Sequence, residues 1–360
     1  MNRKSLRALA AGSAGTILLF GTAACGTSDN NDDSAKGDLH GTLNGAGASS
    51  QESAIGAWRQ GFQQANEGVT VNYDPIGSGG GREQFIAGGI SFAGSDAFLD
   101  EDELTAATER CSSDIVSVPV YVSPIAVIFN LDNVKELKLD SATLGSIFEG
   151  KITSWDDAAI KALNPGIDLP SSKITPVHRG DDSGTTKNFT DYLTAASGGT
   201  WTGGAVETWP VKGGEAANGT SGVVSAVKSG SGTIGYADAS QADGLATASI
   251  KVGSEFVNPT PEAAAQVLDT AERVADRSDT DIALKIDRTT TASGVYPIVM
   301  VSYQIACQKY EDANEQKLVK SWLTWVASAE GQKAAADSAG SAPLSEDFAA
   351  TVKTAIDSIS

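Results

Sequence analysis

Four turns in this chain carry side chains suited to holding an anion. Gly45-Ala46-Gly47-Ala48-Ser49-Ser50, Gly77-Ser78-Gly79-Gly80-Gly81 and Arg179-Gly180-Asp181-Asp182-Ser183-Gly184-Thr185-Thr186 each set hydroxyls at the start of a following helical pattern. The fourth, Phe92-Ala93-Gly94-Ser95-Asp96, ends on a carboxylate. A helix N-terminus exposes unpaired N–H groups and the positive end of the helix dipole, so each of the first three is a ready anion seat. Taken singly, each serine reads as an ordinary N-cap. Their coincidence, with Arg179 leading one of them, points beyond capping.

Arg179 offers a planar fork of donors that matches a tetrahedral oxyanion, and its plainer reading is a salt bridge to Asp181. Asp96 is the odd member, since a carboxylate should repel an anion. A carboxylate only accepts hydrogen bonds, however, so Asp96 becomes useful when the ligand keeps a proton to donate. Phosphate carries one at neutral pH and sulfate does not. A buried Asp96 would therefore select phosphate by leaving sulfate an unpaired, repulsive contact.

Other chemistries are weaker. A hydrolase would draw on His178, Asp181 and Ser183, but the chain has no G-x-S-x-G elbow, and strand alternation over 174–179 turns His178 away from the seat. Gly145-Ser146-Ile147-Phe148-Glu149-Gly150-Lys151 imitates a P-loop, yet Ile152 stands where a hydroxyl must reach magnesium, so a turn before a helix is the better account. Trp155, Trp201 and Trp209 suggest a sugar platform only faintly and read as core or cleft packing. A phosphatase would need a metal cluster or a covalent nucleophile. The only histidines, His40 and His178, form no cluster with cysteine, so no metal site and no cofactor is expected.

The elements that must position these turns follow from periodicity. Gly41–Gly47 reads as a short strand, and Ile55, Trp58, Phe62 and Ala65 mark an amphipathic helix that begins at Ser49–Ser50. Val69–Tyr73 is a strand; after the Gly77–Gly81 turn a helix is expected over 82–87, and another strand runs over 90–95 into Asp96. Repeated strand, Gly/Ser turn and helix argue an α/β sheet with ligand groups on the turns. The apolar run 116–129, broken by Pro119 and Pro124, and the run 295–305 read as two strands crossing between lobes, with C-terminal helices over 318–329 and 347–359. This makes a two-lobed body: residues 39–121 with 298–360 in one lobe and 122–297 in the other.

Residues 2–25 begin with Arg3, Lys4 and Arg7, run through apolar residues 9–20 and reach Thr22-Ala23-Ala24-Cys25, the form of an export signal over 1–24. Cys25 after small residues resembles a bacterial lipobox, in which the thiol carries lipid. Residues 25–38 then read as a solvated acidic tether. The other cysteines, Cys111 and Cys307, flank apolar runs that can lie side by side. An exported chain favours a disulfide between them, and two separate buried thiols remain the alternative.

With 26 Lys+Arg against 45 Asp+Glu, the 360 residues carry a formal charge of −19, which argues against nucleic acid and anionic membrane surfaces. A contact-range anion seat is compatible with it, because exposed charges beyond a Debye length of ~8 Å are largely screened. Glycine, at 39 of 360, exceeds the usual share of ~7% without a collagen period.

The strings GAGASS (45–50), GSGGG (77–81), FAGSD (92–96) and RGDDSGTT (179–186), with IFEGKITSWDD over 147–157, resemble in order the signatures of the phosphate-binding lipoproteins of bacterial phosphate ABC transporters. The resemblance runs from about Leu39 past Ile298. It implies a type II periplasmic-binding-protein-like fold, α/β with mixed sheets and the ligand cleft between the lobes. It also implies a monomeric, non-enzymatic receptor, lipid-anchored at Cys25 outside the cytoplasm, that delivers inorganic phosphate to membrane permease subunits. The implied contacts are Ser49 (hydroxyl and backbone), Ser50 (N–H), Ser78, Asp96, Arg179, Ser183, Gly184 (N–H) and Thr185, with Asp181 orienting Arg179. Ser49-Ser50 departs from the common Thr-Phe, which removes an apolar wall, and Gly79 replaces a frequent second serine. A different oxyanion, or less well an exported serine hydrolase or phosphatase, is the alternative.

Overall fold

The computed structural model describes residues 39–242 and 244–360. The expected signal, the tether and Cys25 lie outside the described residues.

Strand Gly41–Gly47 pairs in parallel with Val69–Asp74 and with Phe92–Ser95. Parallel pairing follows from the helices inserted between them, Glu52–Ala65 and Ser78–Ile86. All three strands therefore end at one sheet edge, where the glycine and serine turns lie. Gly47 is required there: its φ is +139°, and a Cβ would stand 2.0 Å from the Gly94 carbonyl oxygen.

The sheet continues through Val299–Cys307 to Ile115–Asn130, both antiparallel. The second of these is one unbroken strand of 16 residues, buried along nearly all its length. Pro119 and Pro124, expected to interrupt it, are accommodated instead. At Pro119, which has no N–H to donate, the register slips between Ser302 and Tyr303, as a bulge allows. At Pro124 the strand changes partner, and Ile125 onward pairs with Thr233–Asp238. One strand thus bridges two regions, and Val299–Cys307 pairs only on the first side.

The apolar core divides at that point. One cluster joins Leu43, Trp58, Phe62, Phe92 and Tyr121 to Val301, Tyr303 and Trp322. A second gathers Phe129, Trp155, Phe189, Tyr192, Tyr236 and Tyr296, and two smaller clusters lie around Val177 and Val227 and around Val122 and Val299. The fold is α/β and two-lobed, with mixed sheets, as expected. The hairpin Glu272–Arg273 with Leu284–Lys285 folds back so that Ile282 and Leu284 join the first cluster. Cys111 and Cys307 form a disulfide, with Cα atoms 5.4 Å apart, which rules out the alternative of two separate buried thiols.

Three local expectations are corrected. The Gly77–Gly81 segment is already helix from Ser78, although glycine interiors cost about 1 kcal/mol each. Close packing outweighs that cost, since a Cβ on Gly81 would fall 2.4 Å from the Gly47 Cα. The P-loop imitation ends a helix rather than preceding one: Asp140 caps Ser141–Phe148, and Gly150 turns the chain with φ +77°. A helix Ala329–Ala339 lies between the two expected C-terminal helices. No helix among the described residues is long and apolar enough to cross a membrane.

Candidate functional site: an anion cleft between the lobes

Asp96 follows the parallel strand Phe92–Ser95 and is almost fully buried. Its Oδ1 accepts the hydroxyls of Ser50 and Ser302, each at 2.6 Å. Its Oδ2 accepts that of Thr185 at 2.9 Å. Thr185 belongs to helix Gly184–Ala196, whose Phe189, Tyr192 and Leu193 pack in the second core. Asn188 from the same helix donates to the Asp96 carbonyl at 2.7 Å. A carboxylate that follows a strand of the first core cluster is therefore held by a helix packed in the second.

Ser78 opens helix Ser78–Ile86, and its hydroxyl accepts the Asp96 N–H at 3.1 Å, leaving its own proton for a ligand. Ser183 caps helix Gly184–Ala196 by accepting the Thr186 N–H at 3.1 Å, and its proton is likewise uncommitted. The first-turn N–H groups of Gly184 and Thr185 have no intrahelical acceptor. Gly184 must lack a side chain, because a Cβ would meet Ser78 Oγ at 2.6 Å and Asp96 Cβ at 2.7 Å.

Arg179 ends strand Thr175–Arg179 and is 2% exposed. Asp181 holds it as a fork, accepting Nε at 2.7 Å and a second guanidinium nitrogen. Burial alone would raise the Asp181 carboxyl, but the hydrogen bonds and charge of Arg179, with the Gly219 N–H, hold it below the usual range. The Arg179 N–H donates to the Tyr236 hydroxyl, which also pairs with Thr186 Oγ1 at 2.7 Å. Burial pushes that phenol up to about 12, so it stays a neutral strut.

Ser49 and Ser50 form the short turn before helix Glu52–Ala65. The structure brings Ser49, Ser50, Ser78, Asp96, Arg179, Ser183, Gly184, Thr185 and Asp181 to one interlobe boundary. The hydroxyls of Ser50, of which only the N–H was expected to serve, and of Thr185 are both committed to Asp96. Ser49 Oγ accepts the Thr220 N–H at 3.0 Å and pairs with the Thr220 hydroxyl.

Several contributors were missed. Thr220, in helix Gly219–Ser229, follows Asn218-Gly219, a further turn of the same kind that its composition could have flagged. Ser302 is a polar residue inside a buried apolar strand, which was the available signal. Gln241 reaches the Ser49 carbonyl at 2.8 Å, and Arg82 pairs with Glu103 and, across the cleft, with Glu207, both at 2.8 Å. Nothing local announces these two. His178 is engaged elsewhere, its Nδ1 with the Arg179 carbonyl and its ring stacked 4.8 Å from Trp209. Among the described residues no group of His, Cys, Asp and Glu is placed to hold a metal. A cavity of about 340 Å³ touches Ser49 and Asp181, and one of about 610 Å³ touches Asp96 and Asn188.

The family model described as the PBP superfamily domain matches residues 32–330. Phosphate-binding protein PstS 3 of Mycobacterium tuberculosis is 38% identical over 362 aligned positions, covering 96% of each chain. Phosphate-binding protein PstS 2 of the same organism is 34% identical, again over 96% of each. Among solved structures, a high affinity periplasmic phosphate-binding protein, PfluDING, bound with phosphate, superposes with a TM-score of 0.73 at 22% identity, covering 87% of this chain and 93% of its own.

Proposed function

The chain belongs to the PBP superfamily and, within it, to the family of the PstS phosphate-binding proteins, and we propose that it is an extracytoplasmic receptor that captures inorganic phosphate for an ABC-type importer. The observation that carries this reading is Asp96, a buried carboxylate that takes hydroxyls from Ser50, Ser302 and Thr185 among turns rich in anion donors and keeps acceptor capacity beyond them. An acceptor beside Arg179 and helix N-termini suits an oxyanion that is negative and also keeps a proton.

In this reading phosphate receives the hydroxyls of Ser78 and Ser183, N–H groups of Ser49, Ser50, Gly184 and Thr185, and the Arg179 fork held by Asp181. It donates its proton to Asp96. In this reading residues 39–121 with 298–360 form one lobe and 122–297 the other, although Ile282 and Leu284 pack in the first core cluster and Ile298 and Met300 in the second. The ligand touches both lobes only when they are shut, so binding favours closure. The closed monomer then docks on permease subunits, and lipid on Cys25 keeps it at the membrane. The protein acts by binding and release, not catalysis: His178 is engaged away from Ser183, which serves as a helix cap.

Competition calorimetry with phosphate, sulfate and arsenate tests the assignment. Tight phosphate binding with sulfate excluded is expected. Silence toward phosphate, with another solute binding tightly, would discard it.

A further inference from the structure

Ser302, Gln51, Gln304 and Trp322 are all fully buried behind Asp96; Gln51 ends the short turn that holds Ser49 and Ser50, and the other three lie outside the anion-seat turns. They form a chain of hydrogen bonds: the Trp322 indole to Gln304 Oε1 at 2.8 Å, Gln304 Nε2 to Gln51 Oε1 at 3.3 Å, Gln51 Nε2 to Ser302 Oγ at 2.6 Å, and Ser302 Oγ to Asp96 Oδ1 at 2.6 Å. An amide side chain can ordinarily be turned end for end, so direction has to come from groups with one role only. Two such groups are present and agree. The indole N–H can only donate, which turns the Gln304 oxygen toward Trp322 and its nitrogen toward Gln51. The Tyr303 carbonyl can only accept, and it takes the Gln51 amide nitrogen at 3.0 Å.

With Gln51 donating into Ser302 Oγ, the serine proton must go elsewhere. The acceptors in reach are Asp96 Oδ1 at 2.6 Å and the Ser95 carbonyl at 3.2 Å, and the carboxylate is both nearer and charged. An ionised carboxylate has about four lone-pair sites. Ser50 and Ser302 fill Oδ1, and Thr185 takes one site on Oδ2. One acceptor site remains, on Oδ2.

We propose that Ser302, aimed by the Trp322–Gln304–Gln51 relay, is the positioning residue that holds Asp96 as an acceptor with a single open site, and so makes a proton on the bound oxyanion a condition of binding. The inference rests on the phosphate-receptor reading and adds the device that sets which protonated anion is admitted. Without the Ser302 hydroxyl, Oδ1 gains an open site and the carboxylate is free to turn, so sulfate no longer has to meet an oxygen fixed toward the seat.

The test is competition calorimetry of phosphate and sulfate on the mature chain and on Ser302→Ala, Ser302→Thr and Gln51→Met, with folding checked by circular dichroism. Ser302→Ala is expected to weaken phosphate roughly tenfold and to lower the phosphate-to-sulfate ratio by at least as much. Ser302→Thr keeps the hydroxyl and restores the wild-type ratio. Gln51→Met shifts the ratio in the same direction by a smaller factor, and carries the test alone should Ser302→Ala not fold. A wild-type protein that binds phosphate, together with variants that weaken both anions equally, would overturn the relay and leave the receptor reading standing. A wild-type protein that ignores phosphate would remove both.

Discussion

Thr185 donates its hydroxyl to Asp96 Oδ2 at 2.9 Å, and the two residues come from opposite sides of the divided core. The contact can exist only with the lobes together. In the proposed reading it links recognition to closure, because the carboxylate that would accept the ligand's proton is also held by the helix that would supply N–H groups to it.

Replacing Asp96 by Asn keeps the shape and substitutes a donor for an acceptor at one terminal position. Phosphate binding should weaken by about tenfold to a hundredfold, the worth of one charge-assisted hydrogen bond of ~1.5–3 kcal/mol. Sulfate should begin to bind. Calorimetry that finds sulfate still excluded would sink the proton-acceptor role.

Gly184→Ala separates folding from closure. Gly184 opens its helix without a left-handed φ, so alanine suits the backbone, but its Cβ would meet Ser78 Oγ at 2.6 Å across the cleft. The variant should unfold within a few degrees of wild type and lose phosphate binding by at least ~100-fold. Retained affinity would show that the lobes do not close onto this helix start.

The Arg82–Glu207 pair crosses the cleft without touching the anion seat's donors, while Glu103 holds Arg82 on its own side. Glu207→Gln should speed phosphate release several-fold with little change in association, as for a partly buried pair formed after encounter. Stopped-flow dissociation traces identical to wild type would argue that the pair is incidental.

Asp238 sits where the bridging strand changes partner, pairing with Ile125 and accepting the Tyr121 hydroxyl at 3.1 Å. Burial pushes its carboxyl from 3.8 up to about 6, against the hydrogen bonds from Ser240 and Tyr121. The folded state then binds a proton more readily than the unfolded chain. This contribution is fully present below about pH 4 and is lost as pH rises through about 6, a change on the order of 2–3 kcal/mol. Denaturant unfolding between pH 4 and 7 should show a shallower decline in Asp238→Asn than in wild type. Parallel curves would refute it.

The prolines at 119 and 124 show the limit of local reading. Each is a strand breaker by its missing N–H, yet a register slip and a change of partner absorb them. Those solutions depend on neighbouring strands far along the chain. The glycines of the Gly77–Gly81 segment are a second case, since their helix is decided by how closely Gly47 and Asp182 approach.

The turns of the proposed seat, which the structure brings together, were legible because their logic is contiguous. Strand end, glycine turn and hydroxyl at a helix start lie within a few residues, and Asp96 and Arg179 sit in such turns. Ser302, Thr220, Gln241 and Glu207 were not, because they meet their partners across separations of 206, 171, 192 and 125 residues. A local pattern specifies which groups can face an anion. Only the closed tertiary structure decides which hydroxyls are spent on Asp96 and which remain, since a hydrogen-bonding capacity becomes a commitment once a distant partner is brought within 3 Å.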